Sequence, residues 1–246
     1  MPEWFEDDEF WSTWYPHVFN EERFDQAVTE VDQLLVLSGF EVGTVLDLAC
    51  GPGRHAIEFA KRGCQVTGVD RSPFLLSKAV GRAKTAKVDV EWVEQDMRIF
   101  ERPETFDLAI NMFTAFGYFE DKSEDLQVLE RLHNSLVSGG ILVIDVISKE
   151  WLAGHFEAAS SSEAEDGSLL ITRREIIDDW TRIRSEWILL KGDEAMSFDA
   201  LINIYSGQEL RDRLESVGFE DVELFGDLDG NEYGLNVKRL IAVARK

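Results

Sequence analysis

Along most of the chain, apolar positions alternate between short β-prone runs and helical stripes. Val45, Leu46 and Leu48 form the first buried run, and from His55 the pattern turns helical, with Ile57 and Ala60 on the stripe and Gly63 as a stop. Strand-like runs recur at 65–70, 88–94, 106–111 and 141–147. Helical patterns lie between them: residues 74–83 behind Ser72 and Pro73, then Leu126, Leu129, Leu132 and Leu136 behind a Ser123 cap. Such alternation predicts an α/β fold with a mostly parallel sheet. From Trp151 to Tyr205 the helices drop out. Three β-like runs, 169–177, 181–190 and 196–205, with a turn at Asp178-Asp179, predict an antiparallel insertion after the fifth strand. Ser206 and Glu209 then make a capping box for a helix ending at Gly218, and 222–225 and 240–244 should be the last two strands, paired antiparallel.

The segment ahead of the first strand is of a different kind. Residues 3–24 hold eight aromatic side chains, interleaved with Glu3, Glu6, Asp7, Asp8 and Glu9, so they must cover something. They either pack on a sheet edge or close as a lid over a site, with Tyr15 or His17 close to the chemistry. Asn20 caps a following helix whose apolar residues Phe24, Ala27, Val28, Val31, Leu34 and Leu35 share one face, up to Gly39.

Candidate chemistry concentrates where the first strand meets the first helix, in VLDLACGPGRHA. Gly51 and Gly53 permit backbone angles and a close ligand approach that a Cβ would block. The helix start beside them faces the carboxyl end of a strand, where open α/β sheets bind ligands. Gly51-x-Gly53-x-x-Ala56 also fits the dinucleotide fingerprint, a weak signal by itself. Asp47, inside the strand, separates the two readings, because a carboxylate there suits a ligand ammonium and repels a pyrophosphate.

Asp47-x-Ala49-x-Gly51-x-Gly53 resembles motif I of class I S-adenosylmethionine (SAM) dependent methyltransferases, with Ala49 in place of the first glycine. The resemblance is to the bacterial and archaeal small-molecule type. It implies a Rossmann-like, mostly parallel seven-stranded sheet with helices on both faces and the small β cap after the fifth strand. It extends to the later strand tips. Asp70, seventeen residues after Gly53, stands where the family grips a ribose diol, and Arg71 could lie against adenine. Asp96 and Met97 match the adenine corner, while Asn111 and Met112 fall nearest the reacting methyl. Phe113, Phe116 and Tyr118, together with Phe119, offer an apolar wall beside a sulfonium.

The implied reaction is in-line attack of a small-molecule acceptor on the SAM methyl, leaving S-adenosylhomocysteine. No base or metal-ligand set stands at the fourth strand tip; Tyr15, His17 and His155 are the catalytic candidates. In this reading 1–246 is one methyltransferase domain, 1–40 its aromatic lid and helix, and 151–205 a cap that selects the acceptor. Arg173, Arg182 and Trp187, with Arg174, Arg184 and Trp180, suggest a pocket for an anionic acceptor. A SAM-binding regulator without catalysis and an NAD(P)-dependent oxidoreductase are the rival functions.

Composition narrows the partners. The 246 residues carry 48 acids against 25 Lys and Arg, a formal charge of −23, which disfavours nucleic acid. The N-terminus is acidic and aromatic rather than basic then apolar, and no apolar run reaches membrane-spanning length, so a cytoplasmic monomer or homodimer is expected.

Overall fold

The computed structural model describes residues 3–164 and 166–246. Seven strands form the main sheet: β1 (Thr44–Leu48), β2 (Gln65–Asp70), β3 (Glu91–Glu94), β4 (Phe106–Asn111), β5 (Leu136–Ile147), β10 (Glu220–Phe225) and β11 (Arg239–Arg245). Their order is β10-β11-β5-β4-β1-β2-β3, with β1 to β5 mutually parallel and β11 antiparallel to both its neighbours. The order reverses between β1 and β4, which leaves a crevice at the carboxyl ends of those two strands.

Period-two alternation splits the central strands into two cores. Val45, Leu108, Ile110 and Val143 face one side, under Val31 and Leu34 of α2 (Glu21–Ser38) and Phe59 of α3 (Arg54–Lys61). Leu46, Ala109, Leu142 and Ile144 face the other, under Leu129 and Leu132 of α5 (Lys122–Ser135) and Leu210 and Leu214 of α7 (Gly207–Ser216). Helix α4 (Pro73–Ala86) lies beside α3 and touches β2 and β3. As expected, Asn20 caps α2, Ser72 caps α4 and Ser206 with Glu209 boxes α7. Helix α5 starts two residues earlier than its serine suggested. Asp121 is the cap, its carboxylate accepting from the Ser123 amide, since a carboxylate also suits the positive end of the helix. Val28, expected on the buried face of α2, is exposed.

A second, four-stranded antiparallel sheet follows β5: β6 (Ala159–Glu163), β7 (Leu169–Ile177), β8 (Arg182–Lys191) and β9 (Glu194–Asn203), in that order. The serine-rich β6 and the short helix α6 (Lys149–His155) are additions to the three runs visible in the sequence. Its inner face meets α6 through Ile176, Ile183 and Ile202, and meets α1 (Asp8–Val18) through Leu170, Trp187, Leu189 and Phe198. A buried polar knot fastens the insertion to the main domain. Asp125 of α5 accepts from the Tyr205 hydroxyl at 2.5 Å and from Asn203 Nδ2 at 2.8 Å, and burial pushes its carboxyl up to about 6.

Gly53 shows what the first loop demands of its residues. Its φ is +79°, and a Cβ there would sit 2.5 Å from the Trp92 ring of β3 and 3.1 Å from Ala79 of α4. Gly53→Ala is therefore expected to cost about 1–3 kcal/mol of stability through strain and overlap. Thermal denaturation of Gly53→Ala alone and combined with Trp92→Leu checks this: the second change should recover part of the loss, and an unaltered midpoint in the single variant would refute the packing role.

Candidate active site

The loop leaving β1 is left-handed at three alternate residues: Ala49 at φ 60°, Gly51 at 54° and Gly53 at 79°. Ala49 thus adopts the conformation for which its family counterpart is glycine. Two carboxylates, Asp47 buried and Asp70 half-buried, accept amides of this loop and of the helix starts beside it. Asp47 Oδ2 accepts from the Ala56 amide at 3.1 Å, and Asp70 accepts from the Gly51 amide at 2.8 Å and the Ser72 amide at 2.9 Å. Burial pushes Asp47 up to about 7 against the opposing pull of Arg54, and burial likewise raises Asp70 against its backbone donors.

These strand tips open onto a cavity with about 800 Å³ of empty space, its mouth included. Asp47, Ala49, Gly51, Asp70, Arg71, Asp96 and Met97 line one side, and Met112, Phe113, Tyr118 and Phe119 line the other. The aromatic N-terminal segment supplies Phe5, Trp11 and Phe19 to the same wall. Arg71 reaches across to Glu6 of that segment and lies 3.2 Å from Asp96, and Arg98 bonds Asp96 in turn. Those guanidiniums hold the Asp96 carboxyl below the usual range despite its burial. Burial holds the Tyr118 hydroxyl well above its ordinary range, so it stays protonated.

Other expected residues lie elsewhere. Gly53 packs on Trp92 as described, and Asn111 is fully buried, its Nδ2 donating to the Leu48 carbonyl at 3.0 Å. Phe116 is buried in the core beside Tyr205. Tyr15 points to α4, its hydroxyl accepting from Arg82 Nε at 3.3 Å, and His17 sits against Trp14. His155 is exposed and stacked on Trp151. None of these lines the cavity.

The cap residues also depart from expectation, and strand pairing is the reason. Arg173 stands opposite Glu186, Glu175 opposite Arg184 and Ile177 opposite Arg182, all on the face turned away from the Trp187 side. Arg173 pairs with Glu186 at 3.3 Å, Arg184 with Glu175 at 3.7 Å, and Arg182 with Asp178 at 3.2 Å. Arg174 is on the inner face but bonds Ser160. Trp187 packs edge-on against Trp14 at 5.1 Å, so it buries α1 rather than facing the cavity.

Arg54 and His55, buried on the cavity wall, form a triad with the half-buried Glu30 behind them. His55 Nε2 is 2.8 Å from Glu30 Oε2, and Arg54 pairs with the same oxygen. Burial would raise Glu30, but His55 and Arg54 outweigh it and hold the carboxyl down at about 2. Burial and Arg54 push the His55 imidazole down to about 4. At neutral pH a neutral imidazole therefore donates Nε2–H to an anionic Glu30. The partners are separated by 25 positions, from α2 to α3, so no local motif announces them.

Known proteins agree with this geometry. The methyltransferase-domain family profile matches residues 45–140. A relative from Geobacillus sp. (strain WCH70), which carries a provisional methyltransferase name, is 32% identical over 141 residues; the alignment spans 57% of this chain and 57% of that one. A glycine/sarcosine N-methyltransferase of Aphanothece halophytica is 26% identical over 207 residues, covering 82% of this chain and 76% of the relative. The crystal structure of an S-adenosylmethionine-dependent methyltransferase from Clostridium acetobutylicum ATCC 824 superposes with a TM-score of 0.79 at 14% identity, over 97% of this chain and 98% of that one. The fold is that of class I methyltransferases, and the glycine-loop motif resembles theirs. Residues 45–140 match the methyltransferase domain, whose cofactor is SAM.

The triad predicts a pH effect of definite sign. Between pH 6.5 and about 4 the unfolded His55 binds a proton that the folded one refuses, so its contribution is present above pH 6.5 and lost as pH falls. Glu30 adds a loss in the same direction below its unfolded value. In thermal scans from pH 7 to pH 4, His55→Gln should lose less stability than wild type; parallel decline of the two proteins would contradict the assignment.

Proposed function

We propose that the chain transfers the methyl group of SAM to a small-molecule acceptor. The observation that carries this reading is the convergence of Asp47, Asp70 and Asp96, from three successive strand tips, on one cavity closed by aromatic side chains. The donor set suits the cofactor: a carboxylate for its ammonium at Asp47, one for its ribose at Asp70, one for its adenine amino group at Asp96, and apolar surface at Met97 and Met112. Gly51 leaves room for close approach, since a Cβ there would meet only Phe19, at 3.5 Å. SAM supplies an electrophilic methyl on a good leaving group. The chain's own residues bind and orient it and exclude water.

Residues 1–40 act in this reading as the lid, through Phe5, Trp11 and Phe19, and residues 151–205 as its outer support and acceptor-side cap. The outward arginines of that cap lend no support to an anionic acceptor. The cations on the wall are Arg54 and Arg71, both ion-paired. A regulator that binds SAM without turnover is the second reading, favoured by the distance of Tyr15, His17 and His155 from the cavity. Turnover screening separates the two, starting from glycine and sarcosine, on which one relative acts.

Two outcomes test the cofactor assignment. Asp70→Ala should weaken SAM binding by about 1–3 kcal/mol and also lower the melting temperature, because the Gly51 and Ser72 amides lose their acceptor. A variant that melts early yet binds SAM with full affinity would leave Asp70 only a loop anchor. Asp47 gives the other. With its carboxyl at about 7, an arriving ammonium stabilises the anion and displaces a proton, so SAM binding should release protons at pH 6 and almost none at pH 9. Calorimetry at pH 6 in phosphate and in Bis-Tris, two buffers of different ionisation enthalpy, reads that release directly. Equal heats in both buffers at pH 6 would place the ammonium elsewhere.

A further inference from the structure

Past the tip of β4 the chain takes a conformation that side chains avoid. Phe113 and Thr114 are successive non-glycine residues at φ 62° and 63°, a geometry that persists only where the surroundings hold it. One residue does the holding. Asp145 of β5 accepts from the Phe113 amide through Oδ2 at 3.0 Å and from the Thr114 amide through its main-chain oxygen at 2.9 Å. Its other carboxylate oxygen, Oδ1, accepts from Arg239 Nε of β11 at 2.6 Å. Phe113 stands on the cavity wall beside Met112, with the guanidiniums of Arg23 and Arg54 over its ring at 4.8 and 5.1 Å.

A buried ion pair is weak cement for two strands, because desolvation offsets most of its attraction and an apolar pair would serve as well. Asp145 stands opposite Ile241 and Arg239 opposite Ile147, so the pair is diagonal, and both cross-strand neighbours are already apolar. What an apolar residue at 145 would lack is an acceptor for the Phe113 amide. Building on the methyl-transfer reading above, we propose that Asp145 and Arg239 are positioning residues of the cofactor cavity. Asp145 holds the Phe113–Thr114 turn left-handed, Arg239 holds Asp145 in the rotamer that does so, and the turn sets Met112 and Phe113 on the wall.

The test uses the full chain as Asp145→Leu, Arg239→Gln, Arg239→Lys and the double variant Asp145→Leu/Thr114→Gly, with SAM as the probe. In Asp145→Leu and Arg239→Gln, hydrogen exchange at the 113 and 114 amides should rise about tenfold or more while β1 keeps its protection. SAM affinity by calorimetry should fall about tenfold in Asp145→Leu, the order expected for one lost charged hydrogen bond. Arg239→Lys should stay near wild type. Glycine at 114 takes positive φ without cost, so the double variant should regain much of the affinity, which a merely structural loss would not allow. Wild-type exchange and affinity in Asp145→Leu would overturn the proposal, as would a uniform rise in exchange with no rescue. If Asp145→Leu does not fold, the contrast between Arg239→Gln and Arg239→Lys decides. A wild-type chain that binds no SAM would sink the functional reading, while the exchange measurement still decides the anchor.

Discussion

The structure depends on how the chain leaves β1. Three alternate residues of that loop are left-handed, and the Gly51 amide and the Ala56 amide at the start of α3 need acceptors beside it. Asp47 and Asp70 meet that need from two adjacent strand tips, one at the start of α3 and the other at Gly51. Their carboxylates lie on the cavity wall as well. The same groups thus shape the loop and face the cavity. This explains why the site cannot be separated from the fold: removing either carboxylate orphans a backbone donor before it affects any ligand.

Much of the sheet was legible because its signals are local. Val45, Leu108 and Val143 lie on one face and Leu46, Ala109 and Leu142 on the other through simple alternation, and caps such as Asn20 and Ser206 need only a few neighbouring residues. The first strand of the inserted sheet was not legible, because ASSS carries no apolar alternation; it forms by pairing with β7. Likewise β5 begins at Leu136 instead of 141, since pairing of Leu136 with Phe106 extends it through a polar stretch that its own pattern would leave as loop.

The site divides along the same line. Asp47, Asp70 and Asp96 were found at the cavity through the resemblance, because each lies at or just past the end of a strand that alternation reveals. The cap arginines misled because composition says nothing of which face a residue takes. On β8 the odd positions Ile183, Trp187 and Leu189 are buried inward, which sends Arg182, Arg184 and Glu186 outward. The Glu30–His55–Arg54 triad and the Asp145–Arg239 pair were invisible for a different reason. Each joins elements that meet only after folding, and neither lies in a motif.

The acidity of the N-terminal segment acquires a meaning from its docking partners. A chain of formal charge −23 repels added acid at most of its surface, yet Glu3, Glu6 and Glu21 lie against Arg98, Arg71 and Arg82. These cations sit on the parts of the domain that the segment covers, so charge selects where it docks and aromatic burial holds it there. Arg71 and Arg98 also grip Asp96, which leaves one carboxylate on the cavity wall linked through two guanidiniums to the covering segment.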